Sequence, residues 1–218
     1  MRSWLYRKAE RYDKMLSWLH GDTVGRRFGL IASIVGEGQR VLDLGAGTCR
    51  LAAFLHPSCR YIGAELNPTF RAHAEARGIE TIELNVFDFD RYPTDVDVLV
   101  AGDLLHHLIP NVGDFLRGIG RLKIPRIVVC ESYPYGASVL TRILGPILDN
   151  DGINNLPARI RHHLFDEFTE RRLRDEMTAA LADREARFEL LSERSEPGKE
   201  KRGWDTMVAS FMRREKKA

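Results

Sequence analysis

The chain has 218 residues, 44% of them hydrophobic, which is enough to bury the core of one generous domain with room for an insertion. Its 33 basic and 31 acidic side chains leave a formal net charge of +2, so bulk binding to nucleic acid is not expected. Three cysteines, Cys49, Cys59 and Cys130, are odd in number and lack C-x-x-C spacing. They suggest neither a disulfide framework nor a structural zinc site, no metal site is expected, and a reducing cytoplasm is the simplest location.

No apolar run approaches the roughly 18 residues that span a bilayer, and Arg2, Arg7 and Lys8 interrupt the start before a signal-peptide core can form. A soluble chain without stable membrane insertion is expected. Between Ser3 and Leu19 the apolar positions Leu5, Ala9, Tyr12, Leu16 and Leu19 fall at helical spacing on one face. A second helix is predicted over 23–35, ended by Gly36. Residues 1–36 precede the first strand, so they are read as a helical flap over the ligand edge of a sheet, with flank packing as the alternative.

Next, Arg40-Val41-Leu42-Asp43-Leu44 alternates as a strand and enters the turn Gly45-Ala46-Gly47, followed by a short helix over 48–55 that Pro57 ends. Further strands are predicted at 61–65, 81–86, 96–101 and 126–131, with helices from Pro68 and from Val112 between them. Strands alternating with helices argue a parallel, doubly wound α/β sheet. Residues 132–165 show no strand pattern and are read as a lid-like insertion within a single domain spanning 1–218. A helix over 167–182 then leads to strands at 187–191 and 207–212, a hairpin around Pro197-Gly198 whose second member inserts at the sheet edge.

Gly-x-Gly alone is compatible with several nucleotide ligands. A dinucleotide fingerprint needs a small residue three positions after the second glycine, where this chain has Arg50. The Asp43 carboxylate would also repel a pyrophosphate at the turn. Asp43, Glu65 and Asp88 close three successive strands, whose carboxyl ends share one crevice in such a sheet. Carboxylates there can accept from an ammonium group, a ribose diol and an adenine amino group, the polar parts of S-adenosylmethionine.

Val41-Leu42-Asp43-Leu44-Gly45-Ala46-Gly47-Thr48, then Glu65, Asp88 and the run from Asp97 to Leu108 resemble the successive motifs of class I S-adenosylmethionine-dependent methyltransferases. The resemblance covers roughly residues 39–131. It implies a Rossmann-like, seven-stranded, mostly parallel sheet of order 3-2-1-4-5-7-6, with an antiparallel edge hairpin and helices on both faces. It further implies S-adenosyl-L-methionine as cofactor, with Gly45, Ala46 and Gly47 near its methionine part and Leu66 and Phe89 flanking the adenine. The backbone at Ala101 and Gly102 would face the donor. Cys49 departs from the pattern, since many relatives carry a third glycine there.

Methyl transfer needs alignment of donor and acceptor and exclusion of water, and a base only where the acceptor must lose a proton. His106 and His107, after the fourth strand, and Glu131 and Tyr133, at the end of the fifth, are the candidates to meet the acceptor, with Tyr135 beyond them. No Pro-Pro-Tyr type element follows the fourth strand, so a small-molecule or lipid-like acceptor is expected rather than nucleic acid. The basic cluster Arg159 to His163 either meets an anionic substrate or is a solvated face. Apolar residues in the flap and the insertion admit peripheral membrane contact. Two other classes stand beside this reading: a non-catalytic S-adenosylmethionine-binding module and a nucleotide-dependent oxidoreductase.

Overall fold

In β1 (Arg40–Leu44), alternate side chains define the two faces of the sheet in the computed structural model. Leu42 and Leu44 join Leu99, Ala101, Ile127 and Val129 on one face, covered by Phe115, Leu116 and Ile119 of α4 (Val112–Arg121) and by Leu173 and Met177 of α7 (Glu170–Ala180). Val41 joins Val98, Val100, Val128, Cys130 and Val208 on the other, covered by Ile31 and Val35 of α2 (Thr23–Val35). Helices therefore bury both faces, as a mostly parallel sheet requires. The structure describes residues 3–20, 23–135, 139–153, 155–165, 169–192 and 203–214.

The other strands are β2 (Arg60–Ala64), β3 (Thr81–Ile82), β4 (Val98–Gly102), β5 (Arg126–Tyr135), β6 (Arg184–Ser192) and β7 (Gly203–Arg213), and the sheet order is 3-2-1-4-5-7-6. The pairs β1–β2, β1–β4, β2–β3 and β4–β5 are parallel, while β7 runs antiparallel to β5 and β6. Leu44 is in register with both Ala64 and Ala101, so β1, β2 and β4 end together. Strand order reverses between β2 and β4 at β1, and a crevice opens at that switch point.

Four local expectations change. The predicted strand over 81–86 pairs with β2 only at Thr81 and Ile82 before leaving the sheet. The helix over 48–55 is a single 3-10 turn, Arg50–Ala53. The fifth strand continues past Glu131 to Tyr135 because β7 pairs with it along its whole length, from Arg126↔Met212 to Tyr135↔Gly203. Residues 132–135 are thus sheet, and the insertion begins after them as α5 (Val139–Leu148) and α6 (Leu156–Phe165). The loop around Pro197-Gly198 lies outside the described residues.

Helix α2 packs on the sheet face, whereas α1 (Ala9–His20) and the 3-10 turn before it cross the ligand edge. There Tyr6 and Tyr12 stack with Phe70 of α3 (Pro68–Glu75), at ring-centroid distances of 5.8 and 5.0 Å. Asn67, whose side chain caps α3 by accepting from the Thr69 amide, also donates to the Tyr6 carbonyl at 3.1 Å. Ser3 N–H donates to the Asn150 carbonyl at 2.8 Å, which ties the start of the chain to the end of α5.

Candidate active site

A cavity of about 380 Å³ fills the crevice at the ends of β1, β2 and β4, within the size range of small-molecule sites. Its floor is the glycine turn with Asp43, and Glu65, Leu66 and Asn67 form the wall after β2. Tyr6, Tyr12 and Arg27 close it from the N-terminal segment, and Asp151, Ile153 and Asn155 close it from the loop after α5.

Sequence dictates the shape of the floor. Gly45 and Gly47 have φ of +62° and +56°, the left-handed region that side chains resist. A Cβ on Gly45 would stand 2.9 Å from Leu104 Cδ1, so this position also needs the missing side chain for space. Cys49 retains the glycine-like conformation of the resembled pattern, with φ +58°, and tucks its thiol beneath Gly63. Burial, then the Asp43 charge, pushes that thiol up to about 12, so it stays protonated.

Two acids of the crevice are set by the turn. Glu65 accepts from the Gly47 amide at 2.9 Å through Oε2 and from the Asn67 amide at 2.7 Å through Oε1, so one carboxylate joins the turn to the end of β2. Burial raises its pKa, and these two amide bonds oppose the rise. Asp43, only 6% exposed, accepts from Tyr61 Oη at 2.7 Å. Burial raises Asp43 to about 7 against that hydrogen bond, and the charge of Glu65 adds to the rise.

Leu66 and Gly102 stand on the wall with the turn residues Gly45, Ala46 and Gly47. Three other expected contacts are not brought to the cavity. Ala101, whose backbone was expected to face the donor, does not line the cavity although Val100 and Gly102 on either side of it do, and its side chain packs in the core on the face of Leu42 and Leu44. Phe89 lies over Gly118 of α4, where a Cβ would overlap its ring. Asp88 is half exposed and pairs with Arg91 at 3.4 Å. With β3 only two residues long, it is Leu84, Asn85, Val86 and Phe87 that reach the wall.

Beyond the end of β4, His107 is on the cavity wall and His106 is just behind it. His106 is held at both ring nitrogens: Nδ1 is 2.5 Å from Glu131 Oε1, and Nε2 is 3.0 Å from Asp149 Oδ2. Fully buried Glu131 also accepts from the Leu105 amide at 2.8 Å. Burial alone would lower the His106 pKa, but the Glu131 charge and the bonds to Asp149 and Glu131 outweigh it and raise it to about 10. Asp149 is the converse: burial would raise it, yet His107, His106 and Arg159 hold its carboxyl well below the usual range. Tyr133 is 4% exposed and packs in the main core, away from the cavity wall.

Several site residues carried no signal in the sequence. Asp149 also accepts from Tyr6 Oη at 2.5 Å and from Arg159 Nη2 at 2.9 Å, and Arg159 is buried rather than part of a solvated basic face. The side chains of Tyr135, His162 and His163 lie outside the described residues. Arg27 donates to Asp103 and, at 3.3 Å, to Ser132 Oγ.

Residues 42–126 match the family model described as a methyltransferase domain, the stretch that carries the end of β1, the glycine turn, Glu65 and the two histidines. Over that stretch the chain is similar to such a domain. Solved structures share the fold at low identity. The YcgJ protein from Bacillus subtilis is 14% identical with a TM-score of 0.58, over 88% of this chain and 100% of that one. Phosphoethanolamine N-methyltransferase 2 of Haemonchus contortus, in complex with S-adenosyl-L-methionine, is 10% identical with a TM-score of 0.58, over 88% and 53%. The small RNA methyltransferase HEN1 is 19% identical with a TM-score of 0.60, over 89% and 26%. This chain therefore spans about half and a quarter of the last two. No curated protein matches it in sequence.

Among the described residues, no helix is long and apolar enough to cross a membrane.

Proposed function

We propose that this domain transfers the methyl group of S-adenosyl-L-methionine to a small-molecule acceptor. The observation that carries the proposal is the Glu65 carboxylate bonded to the Gly47 amide beside buried Asp43, a set of accepting acids and close-approach glycines in one cavity. Such a set fits a ligand with an ammonium, a sulfonium and a ribose diol, and opposes the pyrophosphate of a nicotinamide dinucleotide. Arg50, where a dinucleotide fold needs a small residue, points the same way.

Bound there, S-adenosylmethionine supplies a methyl group on a positively charged sulfur, activated for in-line displacement. The residues of this chain do the rest. Asp43 offers its carboxylate to the ammonium, and Gly45 and Gly47 let the backbone come close to the methionine part. Each Glu65 oxygen keeps a second lone pair for a ribose hydroxyl. Leu66 and Phe87 are placed to flank the adenine, in the role expected of Phe89. Tyr6 and Tyr12 cover the edge and exclude water, which aligned transfer requires. His107 and Asp151 face the acceptor. Both nitrogens of His106 are engaged, so it is a positioning residue rather than a free base.

An acceptor with a lipid-like part is a second reading. Leu144, Ile147, Leu148 and Ile153 are 43%, 42%, 51% and 60% exposed in one stretch after the sheet, and Ile153 is also on the cavity wall. Incubation with methyl-labelled S-adenosylmethionine and fractionated small-molecule and lipid extracts tests both readings. Label in a low-molecular-weight product supports the proposal, and label in the lipid fraction supports the second. Binding of the cofactor without transfer to either would favour a non-catalytic module.

A further inference from the structure

We infer that His106, His107 and Asp149 form a site for a divalent transition-metal cation of the zinc type, at the acceptor end of the cavity. His106 Nε2 is 3.0 Å and His107 Nε2 3.5 Å from the same oxygen, Asp149 Oδ2, and the three ligand atoms all lie within 4.8 Å of one another. A tetrahedral ion with bonds of about 2.0–2.2 Å sets its ligand atoms about 3.4 Å apart. The two measured separations bracket that value, so an ion enters with small side-chain adjustments.

The surroundings are those of a metal site. Each imidazole is gripped at Nδ1 by a further carboxylate, His106 by Glu131 at 2.5 Å and His107 by Asp151 at 3.2 Å. An Nδ1–H donated to a carboxylate fixes the tautomer that leaves the Nε2 lone pair for a metal and makes that nitrogen more basic. Both rings here are oriented in that sense, with both Nε2 atoms beside the same oxygen, Asp149 Oδ2. Glu131 is itself fixed by the Leu105 amide. Tyr6 holds Asp149 Oδ1, Arg159 occupies one lone pair of Oδ2 and His106 Nε2 the other, so an ion would take the place of the proton shared between His106 and Asp149.

Charge agrees with geometry. Glu131, Asp149 and Asp151 bring three negative charges and Arg159 one positive, so once an ion displaces the His106 proton these groups leave two negative charges for a divalent cation. Two imidazoles and one carboxylate suit zinc, iron, cobalt or nickel better than magnesium or calcium. Three protein ligands also leave a position open. Because His107 is on the cavity wall, an acceptor oxygen, sulfur or nitrogen can take that position beside the donor methyl. This role rests on the methyltransferase reading above, whereas the metal site itself does not.

The test uses the full chain, stripped with a chelator and titrated with zinc, cobalt(II) and manganese(II) by calorimetry, with cobalt also followed by visible absorption. The inference predicts one ion per chain, intense tetrahedral cobalt bands, and affinity lowered about tenfold or more in His107→Gln and in His106→Gln. Thermal melts confirm that each variant is folded, and His107→Gln, at the edge of the network, serves where His106→Gln is not. Absence of binding, or binding that His107→Gln leaves unchanged, would overturn the site and leave a purely hydrogen-bonded network. S-adenosylhomocysteine is titrated into the same preparation. Its binding without metal would sink only this inference, and metal binding without it would sink only the methyltransferase reading.

Discussion

The Glu65 carboxylate reaches from the end of β2 to the amide of Gly47 in the neighbouring turn, 2.9 Å away. One side chain thereby sets the conformation of the floor and presents oxygens to a ligand. Glu65→Gln keeps one acceptor oxygen but loses the charge. Loss of charge-assisted hydrogen bonds should weaken S-adenosylhomocysteine binding by about 1–3 kcal/mol. Calorimetry on wild type and variant checks this, and unchanged affinity would mean that Glu65 serves the turn alone.

Asp43 predicts a pH dependence. Its carboxyl titrates near 4 in an unfolded chain and at about 7 here, raised by burial against the Tyr61 bond. Between those values the folded chain holds a proton that the unfolded chain has released. The stabilising contribution is therefore complete below about pH 4 and is lost as pH rises through about 7. Asp43→Asn removes this slope. Denaturant melts between pH 4.5 and 8 should show the stability of wild type relative to the variant falling across that range, and a constant difference would contradict the assignment.

The two glycines of the turn should respond differently to alanine. Both have positive φ, which costs an alanine about 1–2 kcal/mol. Gly45→Ala also drives its Cβ against Leu104, whereas at Gly47 the nearest atom is Tyr12 Cε1 at an ordinary 3.7 Å. Gly45→Ala should therefore be the more destabilising of the pair in denaturant melts. Equal losses would show that Leu104 yields freely.

Thr48 Oγ1 donates to Asp13 Oδ1 at 2.6 Å, a tie between α1 and the glycine turn. If α1 retains the bound cofactor, Asp13→Ala should speed cofactor dissociation several-fold and expose the N-terminal segment to proteases. Stopped-flow dissociation of S-adenosylhomocysteine measures the first and limited proteolysis the second. An unchanged rate would make α1 simple packing.

These sites also show what a sequence carries. Glu65 was legible because a strand and a turn place it about twenty residues after the glycines, a local spacing that the fold preserves. The sheet order followed from strand alternation together with the family resemblance. Phe89 and Ala101 were misplaced by local features: β3 ends early, Gly118 leaves room for the Phe89 ring, and β4 turns Ala101 toward the other face. The extension of β5 to Tyr135 depends on a partner strand some 70 residues later. Tyr6 and Asp149 meet across 143 positions, and no period or motif in either segment announces a contact of that kind.

The central claim is that the cavity over the Gly45 to Gly47 turn is an S-adenosylmethionine site, and calorimetric titration of the full chain with S-adenosylhomocysteine tests it most directly. The structure predicts saturable binding of one molecule per chain, weakened in Glu65→Gln while NADH gives no heat of binding. Absence of binding in the folded wild-type chain, or binding of NADH in its place, would contradict the claim.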